Sequence, residues 1–260
     1  MLRPLDWPAQ IVETTVRPEV LDRMIQRTEA GFRKLGETEP HWSVLTAEKF
    51  RTANIADSRA EFFRTGEEVI ASVWRTLARS GAEPKPDAVG FELGCGVGRL
   101  TIPLARRLGH VIATDISAPH LRLAKEELQA ARCGNVELRH LTRLAELDTL
   151  PELDFFLTLI VLQHNPPPVI GALLRGILSR LKPGGVAYFQ VPTYRLGYRF
   201  EADAYLRTPP QDIEMHCFPQ PALFALLDEV GCRPVELRED GSAGDNIEII
   251  SNTVIAERRG

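Results

Sequence analysis

The ten residues FELGCGVGRL, Phe91 to Leu100, form a glycine-rich turn between a predicted strand and a predicted helix. Gly94, Gly96 and Gly98 allow the backbone to turn tightly and to approach a ligand, and the helix that follows offers unpaired N–H groups. A dinucleotide-binding loop has the spacing G-x-G-x-x-G, but its last position is Arg99 here. The loop therefore disfavours a nucleotide-dependent oxidoreductase, which we keep as an alternative enzyme class.

Two acidic residues accompany this loop. Glu92 lies at the end of the strand before it, and Asp115 closes the next predicted strand, HVIATD. A carboxylate at that second position can accept hydrogen bonds from both hydroxyls of a ribose. The arrangement therefore predicts a site for a nucleoside-containing ligand.

From about residue 87, short apolar strands alternate with helical patterns. The strand candidates are AVGFEL, HVIATD, NVELRH, LDFFLTLIVL and GVAYFQVP, followed later by RPVELRED and NIEIISNTVIAER. This alternation predicts a doubly wound, mostly parallel α/β sheet, in which ligands bind at the carboxyl ends of the strands.

The chain before residue 87 has a different pattern. One helix is predicted from Pro18 to a terminating Gly36, and a second ends at Gly81 before the proline-rich stretch AEPKPD. We therefore predict an N-terminal helical cap or lid over residues 1–86 and a ligand-binding domain over residues 87–260.

Charge and cysteine content narrow the range of partners. The net charge is -4, with 31 Lys and Arg against 35 Asp and Glu, so no basic field favours nucleic acid or an acidic membrane surface. The cysteines are too far apart in sequence for a zinc framework or a disulfide scaffold, and no apolar stretch is long enough to span a bilayer. We expect a cytoplasmic protein without a metal, nucleic-acid or membrane partner.

The segment ELGCGVGRLT (Glu92 to Thr101), Asp115, the strand ending in VLQH and the turn LKPGG together resemble class I S-adenosylmethionine-dependent methyltransferases. The resemblance covers residues from about 87 to 260. It implies a Rossmann-like, seven-stranded sheet whose last strand, NIEIISNTVIAER, is antiparallel. It also implies S-adenosylmethionine as cofactor.

The resemblance places the glycines beside the methionine part of the cofactor, Glu92 near its amino group, Asp115 on the ribose and Ile116 under the adenine. Many family members carry an acidic residue near the adenine amine, where this chain has Leu141 and Thr142. Thr142 is the candidate for that contact. The predicted cofactor-binding residues are Glu92, Gly94, Cys95, Gly96, Gly98, Asp115, Ile116 and Thr142.

The run NPPP, Asn165 to Pro168, differs at its last position from the Asn-Pro-Pro-Tyr signature of amino-methylating enzymes. Pro168 has no aromatic ring on which a flipped base could stack. We interpret the run as a helix start with Asn165 as the cap. Together with the net charge, this disfavours modification of nucleic acid.

Three residues are catalytic candidates. His164 is predicted at the carboxyl end of the fourth strand, as a general base or only as a residue that orients the loop. His216 lies in an irregular segment over the same strand ends, as a second base or an exposed loop residue. Tyr194 follows the fifth strand, as a substrate contact or a packing residue. The segments HWSVLTAEKF and EFFRTG are expected to close the site.

We therefore predict an enzyme that transfers a methyl group from S-adenosylmethionine to a small molecule, at oxygen. N-methylation of a small molecule or of a protein side chain remains an alternative, as do the oxidoreductase and a cofactor-binding module without catalytic activity.

Overall fold

The computed structural model describes residues 8–211, 213–244 and 248–260. In chain order its helices and strands are β1 (Ile11–Val12), α1 (Pro18–Thr38), α2 (Ile55–Arg79), β2 (Val89–Leu93), α3 (Thr101–Ala105), β3 (His110–Asp115), α4 (Ala118–Ala130), β4 (Val136–His140), β5 (Leu153–Thr158), α5 (Pro167–Leu178), β6 (Leu181–Arg195), β7 (Arg199–Phe200), α6 (Ala202–Arg207), α7 (Gln220–Glu229), β8 (Cys232–Asp240) and β9 (Ile249–Arg258).

Seven strands form the central sheet, in the order β4-β3-β2-β5-β6-β9-β8. β9 runs antiparallel to both of its neighbours, and the other pairs are parallel. This confirms the predicted doubly wound, Rossmann-like sheet with an antiparallel last strand. That strand was predicted from residue 246; it is β9, and residues 246 and 247 lie outside the described residues.

The central strands β2 and β5 are mostly apolar and almost entirely buried, because both of their faces are covered. Phe155 and Phe156 point to opposite faces of β5 and are fully buried in different clusters of the core. Each such ring contributes on the order of 2–3 kcal/mol by burial. The sheet therefore needs a helical layer on both sides.

The two N-terminal helices take part in these layers. Met24 and Ile25 of α1 pack in the same cluster as Phe156. On the opposite face Trp74 of α2 packs edge-on against Phe155, with ring centroids 5.5 Å apart. The division into a cap over residues 1–86 and a domain over residues 87–260 stays a prediction, and residues 1–7 lie outside the described residues.

Helix α1 does not end at Gly36, as predicted, but continues to Thr38. A Cβ atom on Gly36 would lie 2.6 Å from Ser117 Oγ and 2.7 Å from His120 Nδ1. The glycine therefore allows α1 to approach the start of α4 closely, and it does not stop the helix.

The connection from β5 to α5 also differs from the prediction. β5 ends at Thr158, so His164 lies on a short 3₁₀ turn, Leu162–His164, and not at the strand end. Asn165 does not cap α5: its side chain donates instead to the Val161 carbonyl, at 3.0 Å. The physical reason is that the prolines at the start of α5 have no N–H groups for a cap to bind.

No helix in the described part of the chain combines the length and apolar character needed to cross a membrane.

Candidate active site

A cavity lies at the carboxyl ends of the parallel strands, where the fold rule places a ligand. Its wall is formed by the glycine loop, the end of β3, the segment after β4, the β5–α5 connection, one side of α1 and the turn after α1. Glu92, Asp115 and His164 all contribute to this wall. The structure thus brings together residues that are up to 72 positions apart in the sequence, since Glu92 and His164 differ by that number.

The glycine loop has the conformation that its sequence predicts. Gly94, Gly96 and Gly98 have φ angles of +75°, +55° and +87°, which L side chains rarely adopt. Gly94 and Gly96 line the cavity, whereas Gly98 is not among the described wall residues and donates its N–H to the Cys95 carbonyl at 2.9 Å. Cys95 is buried in the wall between them.

Asp115 organises this loop. Its Oδ2 accepts a hydrogen bond from the Gly96 N–H, and its Oδ1 accepts one from the Ser117 N–H, both at 2.8 Å. Each carboxylate oxygen has a second lone pair. The side chain can therefore hold the loop and still accept hydrogen bonds from a ligand in the cavity that it lines.

Glu92 is a buried carboxyl group with unused hydrogen-bonding capacity. Its Oε2 has no partner among the described residues. Burial raises the pKa of Glu92 to about 7, and this effect outweighs the opposing influence of Thr101 and Arg99. A cationic ligand group beside Glu92 would stabilise its ionised form.

The side of the cavity after β3 and β4 includes Ile116, Leu141 and Thr142. The Thr142 N–H donates to Glu146 Oε2 at 3.0 Å, so a carboxylate is present near this segment although Thr142 itself is not acidic. Ile116 and Leu141 provide apolar surface at this end.

The ring of His164 has a defined tautomer. Its Nδ1 lies 2.9 Å from the Glu214 carbonyl oxygen, which can only accept, so Nδ1 carries the proton. Nε2 then has a lone pair, and the Gln163 side-chain nitrogen lies 3.4 Å from it. Burial lowers the pKa of His164. The cavity wall therefore contains a neutral histidine with an unprotonated Nε2.

His216 and Tyr194, the other two catalytic candidates, are not among the residues that line this cavity in the described structure. His216 is buried, with Nδ1 2.9 Å from Tyr198 Oη and Nε2 3.2 Å from Glu214 Oε2. Tyr194 Oη donates to the Pro8 carbonyl at 2.9 Å. Both ring nitrogens of His216 thus have protein partners, and a direct catalytic role for either residue stays a prediction.

The cavity is covered by α1 and the turn after it. Phe32 of α1 lines it, as do Ser43 and Val44 of the turn. A Cβ atom on Gly96 would lie only 2.5 Å from Val44 Cγ2, so this turn rests on the glycine loop. Of the two segments expected to close the site, HWSVLTAEKF contributes wall residues, whereas EFFRTG packs behind Arg99, with Gly66 against the Arg99 carbonyl.

A buried histidine, His120, is hydrogen-bonded to the turn after α1 that lines the cavity. His120 of α4 is hydrogen-bonded through Nδ1 to Ser117 Oγ (2.7 Å) and through Nε2 to Ser43 Oγ (2.8 Å). Its Nε2 also lies 3.2 Å from the Pro40 carbonyl oxygen. The turn is thus linked to the loop that follows Asp115. This role of His120 could not be predicted from the sequence, because a histidine within an amphipathic helical pattern carries no local signal of such a contact.

The part of the chain that forms most of the cavity wall is similar in sequence to a known protein family. A family model described as a methyltransferase domain matches residues 91–185, from β2 into β6. The matched range contains the glycine loop, Asp115 and His164.

Two kinds of relative are similar in sequence. A probable cobalt-precorrin-6B C(15)-methyltransferase (decarboxylating) from Methanothermobacter thermautotrophicus is 30% identical over 142 residues, 54% of this chain and 70% of that protein. A ubiquinone biosynthesis O-methyltransferase from a Ruegeria species is 29% identical over 154 residues, 56% of this chain and 60% of that protein. The chain therefore covers less than two thirds of the Ruegeria protein.

Among solved structures, the magnesium protoporphyrin IX methyltransferase of Synechocystis PCC 6803 with bound S-adenosylhomocysteine has a similar fold. Its TM-score is 0.60 at 19% identity, and the match covers 91% of this chain and 99% of that one. An S-adenosylmethionine-dependent methyltransferase from Clostridium acetobutylicum gives a TM-score of 0.57 at 14% identity, covering 80% and 98%. The first match extends beyond residues 87–260 into the N-terminal helices.

Proposed function

The chain belongs to the class I S-adenosylmethionine-dependent methyltransferases, and we propose that it transfers a methyl group to a hydroxyl oxygen of a small molecule. The observation that carries this proposal is the neutral His164 in the wall of the cofactor cavity, with its Nε2 unprotonated. A hydroxyl group needs such a base, because its oxygen is protonated at neutral pH.

S-adenosylmethionine is the cofactor, and the residues of the cavity fit it. The unpaired carboxylate oxygen of Glu92 is suited to an ammonium group, and the remaining lone pairs of Asp115 are suited to ribose hydroxyls. Ile116 and Leu141 offer apolar surface to an adenine, and Thr142 adjoins them. When bound, this cofactor supplies a methyl group made electrophilic by a positively charged sulfur.

The protein contributes positioning and proton transfer. In the proposed mechanism His164 accepts the proton of the acceptor hydroxyl at Nε2 while Nδ1 remains hydrogen-bonded to the Glu214 carbonyl. Its lowered pKa keeps the ring neutral and ready to accept a proton near pH 7. A base of this kind contributes about 10²–10⁴-fold in rate.

A small acceptor is supported by the cover over the cavity. Phe32, Ser43 and Val44 line the cavity, and closure of these residues over a bound acceptor would exclude water and bulky substrates. We propose that α1 and the turn after it act as the lid. The net charge of -4 supports a small molecule over nucleic acid as acceptor, and the Ruegeria relative named as an O-methyltransferase supports oxygen as the acceptor atom.

Methyl-labelled S-adenosylmethionine tests this proposal. The protein is incubated with fractionated cell metabolites, and the labelled product is isolated and its methylated atom identified by NMR. We expect one or a few small products with the label on oxygen. Label on nitrogen or on macromolecules would contradict the proposed acceptor. Stabilisation by NADH and not by S-adenosylhomocysteine would contradict the cofactor.

A further inference from the structure

Glu214 and His216 contact the 3₁₀ turn that carries His164 through two hydrogen bonds. The turn donates one of these hydrogen bonds and accepts the other. His164 donates from Nδ1 to the Glu214 carbonyl at 2.9 Å, and the His216 N–H donates to the Gln163 carbonyl at 2.7 Å. The shorter of the two hydrogen bonds to the His164 ring thus comes from the main chain of Glu214, and the side-chain nitrogen of Gln163 lies 3.4 Å from the other ring nitrogen.

The position of Glu214 is in turn fixed by its own side chain. Arg27 of α1 donates to Glu214 Oε1 at 2.6 Å, and Oε2 lies 3.2 Å from His216 Nε2. Burial raises the pKa of Glu214, but the hydrogen bonds from His216, Arg27 and Tyr205 outweigh it and bring the pKa to about 2. Glu214 is therefore an anion at neutral pH and a strong partner for the guanidinium of Arg27.

Arg27 also binds residues 205, 208 and 209. Its Nη1 donates to the carbonyl oxygens of Tyr205 (2.8 Å) and Thr208 (2.7 Å), and its Nη2 also reaches the Pro209 carbonyl at 3.2 Å. The guanidinium stacks on the Tyr205 ring, 4.1 Å from its centroid. One planar group from α1 thus binds three main-chain oxygens, from Tyr205 in α6 to Pro209 just after it.

These contacts matter for catalysis because a neutral imidazole has two tautomers. Only the form with the proton on Nδ1 leaves Nε2 able to accept a proton, and the hydrogen bond to Glu214 selects that form. If the Glu214 carbonyl moved away, Nε2 would carry the proton in part of the molecules. Those molecules would have no base at Nε2.

We propose that Arg27 and Glu214 are positioning residues that fix the Nδ1-protonated tautomer of His164. The proposal rests on the role of His164 in the proposed function. It goes further because it assigns a function to the hydrogen-bond network that joins α1 to the residues before α7. His216 belongs to this network through its contact with Glu214, and it is not among the described residues that line the cavity.

The tautomer can be observed without an acceptor. Protein labelled with ¹⁵N-histidine is studied by long-range ¹H–¹⁵N NMR in the presence of S-adenosylhomocysteine, and His164→Gln assigns the signal. In the wild type we expect His164 with the proton on Nδ1. In Arg27→Met we expect about a tenth or more of the molecules to have the proton on Nε2, with cofactor affinity changed by less than about twofold.

Two further variants keep the test decisive. Arg27→Met/Glu214→Gln also removes the partly buried carboxylate that would lose its ion pair with Arg27, so it is the version to study if the single variant does not fold. Arg175→Met breaks an exposed pair of the same chemistry with Glu229 (2.7 and 2.9 Å) and should leave the tautomer unchanged.

The outcomes separate the two proposals. A folded Arg27 variant that keeps the Nδ1-protonated form as fully as the wild type would overturn the positioning role, as would a wild type with the proton on Nε2. Full methyl transfer by His164→Gln would instead overturn the role of His164 as base, whatever its tautomer.

Discussion

The carboxylate of Asp115 lies 2.8 Å from the main-chain nitrogen of Gly96 and accepts its N–H. The second carboxylate oxygen accepts the N–H of Ser117 at the same distance. The residue that the sequence assigns to the ribose therefore also shapes the loop that is assigned to the methionine part of the cofactor. A substitution at Asp115 acts on both contacts.

Asp115→Asn is expected to weaken binding of S-adenosylhomocysteine at least about tenfold. An amide nitrogen cannot accept the hydrogen bonds that one carboxylate oxygen accepts, and a lost charge-assisted hydrogen bond amounts to about 1.5–3 kcal/mol. Titration calorimetry measures the change. Asp148→Asn, at an exposed carboxylate paired with Arg180, is the control and should bind normally. Normal affinity in a folded Asp115→Asn protein would remove Asp115 from the ribose site.

Glu92→Gln is expected to change how stability depends on pH. The folded-state pKa of about 7 lies above the ordinary value of 4.5, so the stability contributed by the protonated group is complete below 4.5 and is lost as the pH rises through 7. Gln cannot ionise. Without cofactor, the variant should therefore gain about 2–3 kcal/mol relative to the wild type between pH 5 and pH 8.

Urea unfolding of both proteins at pH 5 and pH 8 measures this difference. If the unfolding free energies of the wild type and Glu92→Gln differed by the same amount at pH 5 and at pH 8, Glu92 would not be a buried carboxyl group with a raised pKa. In the same variant, weaker binding of S-adenosylhomocysteine at pH 8 is expected from the loss of the anion.

Gly96→Ala tests the contact between the lid and the glycine loop. The new methyl group would lie 2.5 Å from Val44 Cγ2, at a residue with φ of +55°. Gly184→Ala is a matched control, because it has φ of +79° and nothing within 4 Å. Both should lose roughly 1 kcal/mol of stability through backbone strain, but only Gly96→Ala should also lose affinity for S-adenosylhomocysteine.

Adding Val44→Ala removes the methyl groups that the new Cβ would meet. It should restore part of that affinity, whereas the loss of stability from backbone strain at residue 96 should remain. Equal effects of the two glycine substitutions on affinity would show that Val44 does not rest on the loop.

His120→Ala is expected to speed the release of S-adenosylhomocysteine roughly tenfold, because the lid loses its hydrogen bonds to this side chain. Stopped-flow displacement measures the rate. His110→Ala, at a partly exposed histidine at the start of β3, is the control. An unchanged rate in folded His120→Ala would argue against α1 and its following turn as a lid.

The fold and the cofactor end of the site could be predicted because both depend on local patterns. Alternating strands and helices define the sheet, and the glycine spacing with Asp115 is contained within 25 residues, 91 to 115. The exact end of β5 was not predictable. Ile160 has φ of +59°, which is strained for a β-branched residue, and its N–H is held by the side chain of Gln190 on the neighbouring strand at 3.0 Å.

The network around His164 could not be predicted either, because it depends on contacts between residues that are far apart in the sequence. Arg27 and Glu214 are 187 positions apart, and nothing near either residue in the sequence indicates the other. Arg27 is one of several charged residues on an amphipathic helix, and Glu214 lies in a segment without periodicity. Long-range side-chain pairing of this kind depends on how the elements pack.

The most direct test of the proposed mechanism is single-turnover methyl transfer by His164→Gln, with the acceptor identified from labelled S-adenosylmethionine and with His110→Gln as control. The glutamine cannot accept a proton, so the rate should fall about a hundredfold or more while affinity for S-adenosylhomocysteine stays near that of the wild type. The wild-type rate should decline at low pH as His164 is protonated, below the ordinary histidine value of about 6.5 because burial lowers its pKa. A His164→Gln protein that transfers the methyl group at the wild-type rate, with the same pH dependence, would contradict the role of His164 as general base.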